Sequence, residues 1–235
     1  MKAHSITFDV DWAPDHVIDQ VAETVLRFGL SATWFVTHSS PAVERLKRHP
    51  DAFELGIHPN FLPGSTHGST YSEVLNHCVR LLPDAVSMRS HAVFQNGRLL
   101  SEIANSTRIR IECSTFLPEM PNVVPLKQHC SSRELLRVPF FWSDDYELGK
   151  PNTSWDVERL WSINGLQVYL FHPIHVFLNT TSMEHYETAK KNVRDAESAY
   201  QQIENEKKGV AFAFLSLCEH LASHNVKTLL MRDLL

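Results

Sequence analysis

The sequence predicts an α/β fold, a barrel of alternating strands and helices, and three observations carry that expectation. Strand-like segments alternate with helical patterns, which is the signature of parallel strands joined by helical crossovers. About seven of them fit into 235 residues, and this favours a barrel of the (β/α) kind over a flat doubly wound sheet. Polar, chemistry-bearing residues recur at the carboxyl ends of those segments, where such barrels build their sites.

The first strand, near 4–9, runs into Thr7-Phe8-Asp9-Val10-Asp11-Trp12. Strand side chains alternate faces, so Asp9 and Asp11 are expected on one side and Ile6, Phe8 and Val10 on the other. Two like charges so close perturb each other's protonation, an arrangement that a cation stabilises. The first helix begins after Ala13-Pro14-Asp15, carries Val17, Val21, Val25 and Phe28 on one stripe, and stops at Gly29. Further strands are predicted near 32–37, 54–57, 86–88, 109–113, 136–141 and 166–171, with helices at 41–48, 71–82, 97–106 and 154–161. A long charged helix is predicted over 182–207, ended by Lys207-Lys208-Gly209 ahead of an apolar helix at 210–223. Segments 59–70 and 117–132, punctuated by proline, are expected as loops.

The strand ends supply the candidate site. Glu54-Leu55-Gly56-Ile57-His58 ends in a histidine, and the loop after it carries Asn60 and His67. Ser87-Met88-Arg89-Ser90-His91 brings an arginine and a histidine to the end of the fourth strand. Arg137 to Asp145 adds an aromatic cluster around Trp142 and the acids Asp144 and Asp145. The last strand places Leu166, Val168, Leu170 and His172 on one face, with His175 three residues on.

Bulk properties narrow the function. The net charge of -5, with signs interspersed, lacks the basic face a nucleic-acid partner would need. The four cysteines, Cys78, Cys113, Cys130 and Cys218, show no CxxC spacing and suit a reducing compartment. The chain runs from Met1 almost directly into the first strand, without an apolar signal region, and its longest apolar run is too short to span a bilayer. A single cytoplasmic domain over residues 1–235 is the expectation.

In these motifs the chain resembles the polysaccharide deacetylase family, which shares the homology domain of chitooligosaccharide deacetylases. Thr7-Phe8-Asp9-Val10-Asp11 is similar to that family's first motif, in the variant with one residue between the acids, and Ala32-Thr33-Trp34-Phe35-Val36 to the strand that follows it. Glu54 to His58 resembles the second motif, Arg89 the arginine of the third, and Leu170-Phe171-His172 the end of the last. The resemblance runs from residue 4 to about 175. It is strongest to signal-less bacterial members associated with surface-polysaccharide and lipopolysaccharide synthesis.

The resemblance implies a distorted (β/α)7 barrel and metal-dependent removal of an N-acyl group, N-acetyl above all, from an amino sugar, which a cytosolic enzyme would meet on a nucleotide or lipid carrier. By the family pattern Asp9 is the general base, Asp11 and His58 are metal ligands, His172 is the general acid and Arg89 orients Asp9. The expected cofactor is a divalent metal, Zn²⁺ first, with Co²⁺ or Ni²⁺ as alternatives. Three positions depart from the family. Leu62 stands where its second ligating histidine falls, so His67 is expected to replace that ligand, with Asn60 as the alternative. His91 stands where the third motif has proline, and Trp142 precedes Asp144 where the fourth motif has an acid before tryptophan. Asn60, His91, Trp142, Asp144 and His175 are expected to contact substrate. The competing readings are a deformylase or cyclic-amide hydrolase on the same barrel, and a catalytically silent carbohydrate-binding barrel.

Overall fold

The computed structural model describes residues 2–235. Nine strands form one sheet: β1 (Lys2–Asp9), β2 (Ala32–Val36), β3 (Phe53–Ile57), β4 (Ser87–Met88), β5 (Ile111–Glu112), β6 (Leu126–Cys130), β7 (Arg133–Arg137), β8 (Trp142–Ser143) and β9 (Gly165–Phe171). Their order is β6-β7-β5-β4-β3-β2-β1-β9-β8, all parallel except the β6–β7 pair. The sheet curls into a distorted barrel. The extended run 133–143 makes the curl: β7 pairs with β5, Phe140 N donates to Thr115 O, and then Phe141 N donates to Val168 O, after which β8 pairs with β9.

Period-two alternation sorts β1 as expected for a strand between two layers. Ile6, Phe8 and Val10 join the core between sheet and helices, where Phe8 stacks on Trp34 with ring centres 4.2 Å apart. Thr7 and Asp9 face the barrel interior. There Phe35, Ile111, Val138, Phe140, Leu166, Val168 and Leu170 form a second, separate apolar cluster. Met231 belongs to that cluster and plugs the amino-terminal ends of the strands: Leu229 N donates to His4 O, Met231 N to Thr33 Oγ1 and Arg232 N to the Glu54 carboxylate. With that end sealed, the site is left to the carboxyl end.

Helix Asp15–Arg27 buries Val17, Ile18, Val21 and Val25 and ends where Gly29 takes φ +65°, a left-handed turn that glycine adopts without Cβ strain. Helix Tyr71–Leu81 opens with a reciprocal capping box between Thr70 and Glu73. Three sequence expectations need correction. The predicted helix over 182–207 is two short helices, Met183–Ala189 and Ala196–Tyr200, because Asp195 turns its carboxylate back to cap Ser198 N and starts a new helix there. The segment 117–132 is not all loop, since Leu126–Cys130 pairs antiparallel with β7. The predicted helix at 154–161 is a short 3-10 turn, Glu158–Ser162.

Gly56 marks a tight point of the interior. A Cβ there would meet Phe35 Cδ1 and Ser87 Oγ, each at 2.7 Å, and Phe35 is one of the two rings that sandwich Arg89. Gly56→Ala is therefore expected to destabilise the protein by about 1–3 kcal/mol through overpacking, read from denaturant unfolding midpoints. Unchanged stability would contradict this packing.

Candidate active site

Asp9 closes β1 inside the barrel, and its Oδ1 accepts from Arg89 Nη1 at 2.9 Å. Arg89 is buried, with its guanidinium 4.6 Å from the Phe35 ring centre and 4.9 Å from that of Phe140. Its Nη1 also donates to Thr7 Oγ1 and its Nε to Cys113 O, so the cation holds a fixed position beside Asp9.

Two residues later the chain leaves the strand through consecutive left-handed residues, Asp11 at φ +44° and Trp12 at φ +57°. Such backbone costs about 1–3 kcal/mol per residue and gathers where function fixes a side chain. The turn sets Asp11 Oδ1 3.0 Å from His58 Nε2 and 3.0 Å from His91 Nδ1. His91 is delivered by a second such turn, Ala92 at φ +52° and Val93 at φ +54°, the latter a severe outlier for a β-branched side chain.

His58 Nδ1 lies 2.7 Å from Arg89 O, which only accepts, so Nδ1 carries the hydrogen. Its Nε2 thus meets the Asp11 carboxylate either as part of an imidazolium or as a lone pair sharing a cation with it. A tetrahedral shell with bonds of about 2.0–2.1 Å spaces its ligand atoms about 3.3 Å apart. The Asp11, His58 and His91 donor atoms all lie within 4.8 Å of one another, with Asp11 Oδ1 3.0 Å from each imidazole nitrogen. One carboxylate oxygen and two imidazole nitrogens suit a borderline-soft divalent ion with an open position, so the residues present fit the metal.

Across the cavity, His172 at the end of β9 gives its Nδ1 hydrogen to Asp144 Oδ1 at 2.8 Å, while its backbone N donates to Asp144 Oδ2 at 2.6 Å. This aims Nε2 at the centre, 3.6 Å from Asp11 Oδ2. Asp145, His172 and His175 form a second group with ligand-like spacing, but hydrogen bonds already occupy both ring nitrogens of His175: Nε2 donates to Asp145 Oδ1 and Nδ1 accepts from Thr180 Oγ1. The whole arrangement opens into a cavity of about 400 Å³, whose walls also include Phe116, Phe140, Tyr146 and Leu170.

The electrostatics follow. Burial alone would raise the Asp11 carboxyl, yet hydrogen bonds from His58 and His91 hold it well below the usual carboxylate range. The same bond to Asp11 raises His91. Burial would lower His172, but the charges of Asp144, Asp145 and Asp11 raise it well above an ordinary imidazole.

Several expected site residues lie elsewhere. His67 is only 4% exposed; its Nδ1 accepts from Asn60 N and its ring stacks on His77, so it stands outside the convergent set and His91 occupies the place assigned to it. Asn60 folds its Oδ1 onto Leu62 N and shapes the loop. Trp142 is 1% exposed and packs against Phe171 in the core. Asp144 is wholly buried on His172, and buried His175 on Asp145, so neither lines the cavity. Asp145, with its side chain 54% exposed, does line the cavity; its only signal in the sequence was a second acid next to Asp144.

A family model described as WbmS-like polysaccharide deacetylase matches residues 6–190. The chain belongs to that family. A solved structure from Bordetella bronchiseptica, assigned as a polysaccharide deacetylase involved in O-antigen biosynthesis, is 32% identical, superposes with a TM-score of 0.80, and aligns over 92% of this chain and 90% of that one. Two more distant structures share the fold alone. The 4-alpha-glucanotransferase of Thermococcus litoralis has TM-score 0.54 and 10% identity over 100% of this chain and 38% of that one. The Xyl-CE4 domain of a multidomain xylanase from the hindgut metagenome of Trinervitermes trinervoides has TM-score 0.50 and 12% identity over 99% and 89%. No curated protein matches the sequence. Membership in a polysaccharide deacetylase family implies a divalent metal, for which Asp11, His58 and His91 are the best-converged donors.

Two buried histidines away from the centre make a pH prediction for this deacetylase fold. Burial first, then the neighbouring His77, depresses His67 to about 4, and burial with Lys2 does the same to His4, also to about 4. Unfolded histidine titrates near 6.5, so between that value and about 4 the unfolded chain binds more protons and stability falls with falling pH, by up to about 1.4 kcal/mol per pH unit for each histidine. Denaturant midpoints measured across this range are expected to show that slope, and His67→Gln to flatten it. An unchanged slope in the variant would contradict the burial of a neutral His67.

Proposed function

We infer that the protein is a metal-dependent hydrolase that removes an N-acetyl group from an amino sugar during synthesis of a surface polysaccharide such as O-antigen. One observation carries the reading: Asp11 Oδ1 meets two imidazole nitrogens at 3.0 Å each, between a carboxylate held by arginine and a histidine held by aspartate. The similarity to the Bordetella protein supports the biosynthetic setting. The elements share one sheet, which supports reading the chain as one catalytic domain. No helix is long and apolar enough to cross a membrane among the described residues. The free, buried cysteines fit a reducing compartment, and we place the reaction in the cytoplasm, on a nucleotide- or lipid-linked sugar.

A divalent ion, Zn²⁺ in the first instance, held by Asp11, His58 and His91 supplies Lewis acidity to the acyl carbonyl and to the attacking water. The chain's own groups do the rest. Asp9 takes a proton from the attacking water, and Arg89 keeps its carboxylate in place. His172, its ring fixed through Nδ1 by Asp144, delivers a proton from Nε2 to the departing nitrogen. The apolar wall of Phe140, Phe116 and Leu170 excludes water from the far side of the acyl group.

Elemental analysis is expected to find about one divalent ion per chain, sharply reduced in Asp11→Asn and His91→Ala and retained in His67→Ala. Loss of metal in His67→Ala with retention in His91→Ala would return the third ligand to the loop.

Asp9→Asn is expected to abolish release of acetate from N-acetylated sugars while keeping the metal. His172→Ala should slow the chemical step by about two to four powers of ten. An Asp9→Asn variant that still turns over at the parent rate would refute the assignment of the base.

A further inference from the structure

Asp145 contributes charge beside His172, but no role above has it touch the substrate. It follows Asp144 on the short helix Asp144–Leu148, at the cavity wall. Its Oδ1 accepts from His175 Nε2 at 3.0 Å, and His175 is itself fixed through Nδ1 by the fully buried Thr180. A carboxylate with a side chain 54% exposed would otherwise sample several rotamers in water, so this buried histidine serves to hold it. Its other oxygen, Oδ2, lies 3.6 Å from His172 Nε2. That separation is too long for a hydrogen bond between the two, and it lets an atom bonded to Nε2 reach Oδ2 as well.

We propose that Asp145, positioned by His175, binds the departing nitrogen and makes the site selective for N-acyl over O-acyl sugars. The inference rests on the deacetylase reading. In that reaction the C–N bond of the tetrahedral adduct breaks, the electron pair stays on nitrogen, and nitrogen takes the proton from His172 Nε2. The products are an acid and an amine, and positive charge is shared between imidazole and nitrogen as the bond breaks. A carboxylate facing that nitrogen stabilises the charge where it develops and accepts one of its N–H bonds. An ester behaves oppositely. Its leaving oxygen gathers negative charge as its C–O bond breaks, and a carboxylate at the same place repels it. Asp145 is thus a catalytic residue for amides alone, and His175 acts only through it.

The test uses the full chain loaded with Zn²⁺ and two matched probes: the methyl glycoside of N-acetylglucosamine, and the methyl glucoside carrying the acetyl group as an ester at the same carbon. Asp145→Asn is expected to lower kcat on the amide about ten- to hundredfold, the loss expected for a hydrogen bond to a charged group, with KM nearly unchanged. Ester hydrolysis should hold or rise. His175→Gln should shift the amide-to-ester ratio in the same direction, with metal content and unfolding temperature close to those of the parent. A purely structural role for either residue would depress both substrates together. Equal loss on both probes, or no loss on the amide, in a parent enzyme active on both overturns this inference and leaves the deacetylase reading standing. A parent that releases acetate from neither probe, nor from other N-acetylated sugars, overturns both.

Discussion

The site depends on one buried cation. Arg89 sits between the rings of Phe35 and Phe140, where a guanidinium out of water is tolerable only if it is paired, and its Nε and Nη1 are paired while its Nη2 faces the two rings without a hydrogen-bond partner among the described residues. It takes Asp9, Thr7 and the Cys113 carbonyl through its side chain, and its own carbonyl fixes the tautomer of His58. Two residues on, the same segment delivers His91. Asp9's placement, His58's orientation and His91's position are therefore all referred to a single residue at the end of β4. Removing it would leave Asp9 buried without its counter-charge, and the loss would reach the fold as well as the chemistry.

Around that fixed point the backbone is bent against its preferences. Asp11–Trp12 and Ala92–Val93 each place two consecutive non-glycine residues in the left-handed region, and each pair delivers one donor to the same point. Strain of this kind persists only where surrounding packing over-determines it. Here the rings of Trp12 and His91 meet edge to face, and His91 N donates to Pro59 O, so the two turns brace each other. Opposite them, the acid side is built on ordinary elements: β9 and the helix starts beside it, with Asp144 and Asp145 reaching His172 and His175. One half of the cavity is thus held by strain and the other by regular structure.

The barrel and half of the site were legible because both follow short-range rules. Alternation along β1 put Asp9 inward and Phe8 outward, and the polar residues ending β3, β4 and β9 pointed to His58, Arg89 and His172. The place of His91 was not legible in the same way. His91 lies beyond its strand, just ahead of two left-handed residues that no propensity anticipates, whereas His67 lies in a polar loop where a free ligand looked natural. In fact that loop folds inward and spends its histidine on Asn60 N. Trp142 looked like a sugar platform because aromatics cluster there, but β8 is buried on both sides and the ring packs on Phe171. The predicted helix over 182–207 failed because a polar, charged stretch offers no periodicity with which to locate the cap at Asp195.

The central claim is the ligand set, and anomalous diffraction from a crystal grown with Zn²⁺ tests it most directly. The account predicts one strong peak within about 2.0–2.2 Å of Asp11 Oδ1, His58 Nε2 and His91 Nδ1, with His67 still bonded to Asn60 N. A peak at His67, or one among Asp145, His172 and His175 with none beside Asp11, would contradict it.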